Sequence, residues 1–240
     1  MPWTSDTRAV ATVATMPSRP VVPPARADLL RDLAGRVPDP ARHGRPVLVG
    51  VDGVDGSGKT VLADQLAEAL RARGRVVVRG SADGFHRPRA ERYARGRTSP
   101  EGFYRDSYDD DALLRELLEP FGPGGSRRYR TAVYDVASER RVDAPLLTTS
   151  DDAVLVVDGI FLHRRRLAAC WDFSVFLHVP FEVTFARMAV RDGCPADPDD
   201  PANARYRDGQ LLYLRDVAPR ARASVVVDNT DLARPHVVAP

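Results

Sequence analysis

Lysine is almost missing from this 240-residue chain. Lys59 is the only one, and every other Lys/Arg position is arginine. Cysteine is nearly as scarce. Cys170 and Cys194 stand alone, too few for a disulfide framework or a zinc spacing, so two partly buried thiols in a reducing cytoplasmic setting are expected. No apolar run approaches the ~20 residues of a membrane-spanning helix. The stretch from Ala9 to Ala14 is interrupted by Thr12 and lacks the layout of an export signal. The net charge of +2, with arginines interleaved among acids, gives no basic stripe. Neither nucleic acid nor a membrane surface is therefore expected as a partner.

The single lysine lies in Gly53-Val54-Asp55-Gly56-Ser57-Gly58-Lys59-Thr60, which fits G-x-x-x-x-G-K-[ST]. Pro46 to Val51 before it reads as a buried strand, and Val61, Leu62, Leu66, Ala69 and Leu70 after it recur at helical spacing. Strand, glycine loop and helix in this order turn backbone N–H groups inward as an anion nest, and the helix N-terminus adds its positive end. A compact ammonium with three donors fits between phosphate oxygens where a planar guanidinium does not. Gly53, Asp55, Gly56, Ser57, Gly58, Lys59 and Thr60 are thus the candidate nucleotide-binding residues, with the Thr60 hydroxyl on Mg²⁺.

Along the chain, residues 1–25 are rich in Pro, Ala, Thr and Arg and read as a disordered tail. From Arg26, Leu29, Leu30, Leu33 and Val37 mark a helix on the outside of the domain. Arg75 to Arg79 reads as the second strand, and Asp83 follows it, near the phosphate loop if the strands are parallel. Residues 87–150 form no simple βα unit: a helix over Asp110–Leu118, then two alternating segments, Tyr129–Val136 and Val142–Leu147, as a hairpin. Ala153 to Asp158 is a third strand ending in an acid suited to holding Mg²⁺. Ser174–Val179 and Ser224–Asn229 are the fourth and fifth strands. Between them, Arg187 and Arg191 share one face of a helix, and the loop from Gly193 to Pro201 is expected to move.

Taken together, Gly53–Thr60, Asp83-Gly84-Phe85-His86-Arg87, Tyr134-Asp135, Asp158-Gly159-Ile160 and Arg187-x-x-x-Arg191-Asp192 resemble the uridine kinase and phosphoribulokinase-like family of P-loop small-molecule kinases, from about Pro46 to Asp231. The resemblance implies a three-layer α/β P-loop NTPase fold: a doubly wound, mostly parallel five-stranded sheet with a helix-plus-hairpin insertion at about 84–150 and a lid at about 187–208. One such domain would occupy residues 26–240. It implies ATP and Mg²⁺ as cofactors, and a phosphoryl transfer in which Asp83 takes the acceptor's proton. Lys59, Arg187 and Arg191 would neutralise phosphate charge, and Thr60 and Asp158 would hold the metal. Tyr134 would lie against the acceptor's base and Asp106 near its ribose hydroxyls. Phe85, His86, Glu139 and Arg191 complete the expected acceptor side.

Departures from the pattern bear on the acceptor. The metal acid is Asp158 where uridine kinases usually carry Glu. Val136 and Glu139 stand where they carry an aromatic and a histidine, and residues 193–203 hold no arginine, leaving Arg205 and Arg207 to supply lid charge. A nucleoside is the first expectation. Another nucleoside, a sugar phosphate or a vitamin precursor is the alternative, as is a regulatory nucleotide-binding protein without turnover. A guanine-reading Asn-Lys-x-Asp motif is excluded by the single lysine. Self-association is left open.

Overall fold

The apolar runs become strands. In the computed structural model, which describes residues 22–238, β1 (Val47–Gly53), β2 (Val76–Ser81), β3 (Ala153–Asp158), β4 (Phe173–His178) and β5 (Val225–Asp228) are mutually parallel, and β6 (His236–Val238) pairs antiparallel with β5. Their order is β6-β5-β4-β1-β3-β2. The five expected parallel strands are present. The sixth corrects the count, because three residues at a sheet edge are too short to show a period.

The longer helices are α1 (Pro24–Arg36), α2 (Lys59–Ala72), α3 (Pro100–Asp106), α4 (Phe181–Asp192) and α5 (Ala204–Val217). Of the tail read over residues 1–25, residues 1–21 lie outside the described residues, and Pro24 and Ala25 are already helical. Alternation along the strands builds three layers. Val47, Val49 and Val51 pack with Val154 and Val156 against Leu29 and Leu33 of α1 and Leu62 and Leu66 of α2. Leu48, Leu155 and Val157 face the other way, against Phe103 of α3, Leu117, Phe121 and Tyr213 of α5. Each such aliphatic side chain, fully buried, contributes roughly 1.5–3 kcal/mol.

Register then gathers the chemistry. Val51 pairs with Asp158, and Asp158 with Ser81, so β1, β3 and β2 end in one line across the sheet. The chain leaves β1 into the phosphate loop and β2 into Asp83. β1 lies between β3 and β4, the point where an open sheet of this kind holds its ligands.

The insertion differs from expectation in two places. The helix over Asp110–Leu118 is α-helical only to Leu113 and widens to a π turn over Leu114–Leu118. Pro120 cannot donate a backbone hydrogen bond to the preceding turn, and the Glu116 carbonyl accepts from Arg130 N instead at 2.9 Å. The hairpin survives as two separate ladders, Arg128–Tyr129 with Leu147–Thr148 and Tyr134–Asp135 with Arg140–Arg141. Between them Val133 N donates to Gly84 O at 2.8 Å, so the arm docks on the turn that carries Asp83.

Candidate active site

The phosphate loop needs its glycines for space as well as for angle. Gly56 (φ 73°) and Gly58 (φ 92°) are left-handed. A Cβ on Gly56 would sit 2.5 Å from Thr184 O, and one on Gly58 would sit 2.8 Å from Asn229 Nδ2. Carbonyls of the loop and of the segment after β5 are fastened by side chains. Asn229 Nδ2 donates to Ser57 O at 2.7 Å, Arg26 donates to Asn229 Oδ1 at 3.0 Å, and Arg187 donates to Gly56 O, Asn229 O and Thr230 O at 3.3, 2.9 and 2.8 Å. Gln210 of α5 accepts from Asp55 N at 2.6 Å. α2 starts at Lys59 with its N-terminus facing into the loop, and Ser57 Oγ is buried there without a partner.

Lys59 Nζ donates to Val54 O at 2.9 Å and lies 3.9 Å from Asp55, close to where a phosphate would compete for it. Thr60 Oγ1 donates to Asp158 Oδ2 at 2.6 Å, and Arg79 holds the other carboxylate oxygen at 2.9 Å. Asp158 is buried, so this pairing fixes its orientation. Beneath the loop, Asp52 is fully buried. It accepts from His163 Nδ1 at 2.7 Å, from Gly53 N at 2.7 Å and from the Tyr213 hydroxyl of α5. The network ties the loop's root to the helix that follows the lid.

Asp83 is exposed. The Tyr108 hydroxyl donates to its Oδ1 at 3.1 Å, and His86 Nδ1 donates to its carbonyl at 2.9 Å. The His86 and Tyr108 rings lie 4.4 Å apart and their backbones bridge. Burial first, then the charges of Asp83 and Asp55, push the Tyr108 phenol well above its ordinary range, so it remains a donor. Two cavities meet at this point. The smaller, about 160 Å³, is walled by Gly56, Gly58, Lys59, Thr60 and Asp158. The larger, about 510 Å³, is walled by Phe103, Tyr108, Val136, Phe185, Met188 and Tyr206. Asp55, Asp83, Ile160 and Arg191 line both. A phosphate cradle opens directly into a second chamber past a carboxylate.

Residues 48–194 match the Phosphoribulokinase / Uridine kinase family. The chain belongs to that family. Among its relatives, the uridine kinase of Lactiplantibacillus plantarum is 22% identical over 151 residues, 63% of this chain and 70% of that one. A solved structure of a possible uridine kinase from Bacillus stearothermophilus superposes with a TM-score of 0.65 at 25% identity, covering 86% of this chain and 97% of that one. D-glycerate 3-kinase from Cryptococcus neoformans shares the fold, with a TM-score of 0.58 at 14% identity over 88% and 98% of the two chains. This phosphoribulokinase/uridine kinase family member is thus a P-loop small-molecule kinase in fold.

The structure brings together Lys59, Thr60, Asp158, Asp83, Asp55, His86 and Arg191 around the two cavities. Gly56 and Gly58 join them on the smaller one, but several other expected residues lie elsewhere. Phe85 is corrected outright: it is wholly buried in the core, out of an acceptor's reach. The Tyr134 hydroxyl donates to Glu139 at 2.9 Å, Glu139 also pairs with Arg92 and Arg89, and neither lines the larger cavity. Asp106 pairs with Arg95 at 2.8 Å, likewise off the cavity wall. Arg187 is spent on the carbonyls of Gly56, Asn229 and Thr230. Arg205 is buried, donating to Ser99 O at 3.0 Å, and Arg207 pairs with Asp199 and Asp208, so neither supplies lid charge at the phosphates. The lid loop is itself bonded: Asn203 Nδ2 donates to Pro195 O and Asp197 O at 2.9 and 2.7 Å.

Tyr108, Phe103, Tyr206, Arg79 and Gln210 escaped the sequence reading. Arg79 had a signal, a charge ending an otherwise apolar strand. The others had none, since their roles follow from contacts with residues 25 to 155 positions away.

Proposed function

We propose that this chain is an ATP-dependent phosphotransferase that moves the γ-phosphate to a hydroxyl of a small metabolite, with a nucleoside as the leading acceptor. The meeting of the two cavities at Asp83 carries this reading. Phosphoryl transfer asks a protein mainly for positioning and charge neutralisation, and for a carboxylate that accepts the acceptor's proton. The nest, the α2 N-terminus and Lys59 would hold the donor's phosphates. Thr60 and Asp158 offer two hard oxygens side by side, a donor set suited to Mg²⁺, which keeps most of its waters and takes one or two protein ligands. When bound, the ion supplies neutralisation of β- and γ-phosphate charge. Among the described residues no group of three or more His, Cys, Asp or Glu competes as a metal site.

Asp83 faces the second chamber, with one oxygen held by Tyr108 and the rest of the carboxylate free to orient an incoming hydroxyl. Arg191 lines both cavities and reaches the space where the phosphoryl group would cross. Among the described residues no helix is long and apolar enough to cross a membrane. The test is Asp83→Asn with ATP, Mg²⁺ and an acceptor panel, read by ADP release. Nucleotide affinity should persist while acceptor-stimulated turnover falls at least ~100-fold, the share of a general base. Near-normal turnover would defeat the assignment.

A further inference from the structure

A third cavity takes no part in the site at Asp83. It encloses about 400 Å³ on the sheet face that carries Phe176 and α5, between the end of β4, the start of α4 and the short helical turn Pro219–Arg222. It shares no lining residue with the two cavities that meet at Asp83. Small-molecule sites enclose about 300–1,000 Å³, so the space suffices for a ligand. Val54, Phe176, Val179, Phe181 and Leu214 give it apolar walls.

Two lining side chains break that pattern, His178 and Arg220. Neither the imidazole nor the guanidinium has a hydrogen-bond or ion-pair partner among the described residues. Other arginines beside the loop and cavities are committed: Arg187 to carbonyls, Arg92 to Glu139 and Arg191 to Asp192. Burial first, then the Arg220 charge, depress the His178 pKa, with Asp228 opposing, so the two bases sit close together. Asp228 pairs in register with His178, but its carboxylate accepts from Thr230 N at 2.8 Å and it is off the cavity wall. Two free nitrogen groups at an apolar pocket want an anion.

The planar guanidinium fork matches a carboxylate, and a neutral imidazole N–H adds a donor. The walls favour an apolar chain or ring, by about four-fold for each methylene buried. An inorganic anion gains nothing from those walls. The cavity also touches the phosphate loop from behind. Val54 belongs to that loop, and its carbonyl accepts from Lys59 Nζ at 2.9 Å. Phe181 opens α4, the helix that sets the Thr184 carbonyl against Gly56 and holds the loop through Arg187.

We infer that this cavity binds a small, free amphipathic carboxylate, its anion on Arg220 and His178, and that its occupancy is coupled to nucleotide binding at the phosphate loop. The shared walls are the physical basis of the coupling. A ligand that alters the freedom of Val54 and α4 alters the loop's affinity, and by linkage the nucleotide alters the carboxylate's affinity by the same factor. Both statements concern binding alone and hold whichever acceptor the chain uses.

Calorimetric titration of the full chain with octanoate, hexanoate and the uncharged octanamide tests this, with and without Mg²⁺ and a non-hydrolysable ATP analogue. Octanoate should bind at one site with a Kd at or below ~1 mM. Hexanoate should bind at least five-fold more weakly, since two fewer methylenes are buried, and octanamide at least ten-fold more weakly. Arg220→Gln changes an exposed side chain and should abolish the octanoate–octanamide difference while leaving octanamide within two-fold. No saturable octanoate binding, equal binding of octanamide to the parent, or an unaltered difference in Arg220→Gln overturns the site. The ATP analogue should shift the octanoate Kd by at least three-fold to a plateau, and octanoate should shift the analogue's Kd equally. Complete displacement would place the carboxylate in the phosphate cradle and overturn the inference; an unshifted Kd refutes the coupling.

Discussion

Tyr108→Phe isolates one hydroxyl. The variant keeps the buried ring and its contact with His86, and removes only the donor 3.1 Å from Asp83 Oδ1. A hydrogen bond to a charged group contributes roughly 1.5–3 kcal/mol. Asp83 is exposed and can turn to water, so the lower end applies. If that interaction holds the carboxylate in its productive orientation, about 1.4 kcal/mol of it appears in the barrier, a ten-fold fall in kcat. The melting temperature should hardly move, because no cavity is made and the abandoned carboxylate oxygen is solvated. Since the phenol is pushed well above its ordinary range, it donates throughout neutral and mildly alkaline pH, and the loss should persist across that range. Steady-state kinetics with ATP and the best acceptor, beside ATP-analogue binding, provides the check. A kcat within two-fold of the parent, or a loss of ATP affinity matching the loss of rate, would show that Tyr108 does not orient Asp83.

Two further outcomes follow from the same geometry. Gly58→Ala should cost roughly 1–2 kcal/mol of folding stability for its left-handed backbone alone. Its Cβ would also displace Asn229 from Ser57 O, so affinity for an ATP analogue should drop by more than ten-fold; unchanged affinity would show that the Asn229 brace is dispensable. His178 lines an apolar cavity beside Phe181 and Leu214, and burial first, then Arg220, depress its pKa, with Asp228 opposing. A depressed histidine favours the neutral form in the folded state. Its contribution is complete above the unfolded value of about 6.5 and is lost as pH falls through the folded value. Urea midpoints should therefore decline on acidification through that window, and His178→Gln should flatten the decline; an equally steep decline in the variant would remove His178 as its cause.

What could be read in the linear chain was whatever repeats locally. The strand–loop–helix around Lys59 is fixed within about thirty residues by apolar alternation, glycine angles and helical spacing, and the structure places all of it as expected. Asp83 and Asp158 were legible for the same reason: each follows an apolar strand, and parallel pairing carries strand ends to one edge. Register, Val51 to Asp158 to Ser81, was left to the tertiary structure, and it alone puts them on one line.

The acceptor side went the other way. Tyr134 and Glu139 carry reactive groups in suggestive positions, yet each satisfies the other because the docked arm turns them together and away from the cavity. Phe85 lies two residues from Asp83, but a 3₁₀ turn over Ala82–Phe85 sends its ring into the core. Tyr108 and Tyr206 look like ordinary core aromatics in sequence and become walls only when the insertion and α5 close on the end of the sheet. By itself, then, the sequence determined the phosphate loop with its flanking strand and helix, where backbone geometry within one supersecondary unit makes the structure. The larger cavity, with its aromatic walls and carboxylates, was decided by packing between segments distant in the chain, which no local pattern encodes.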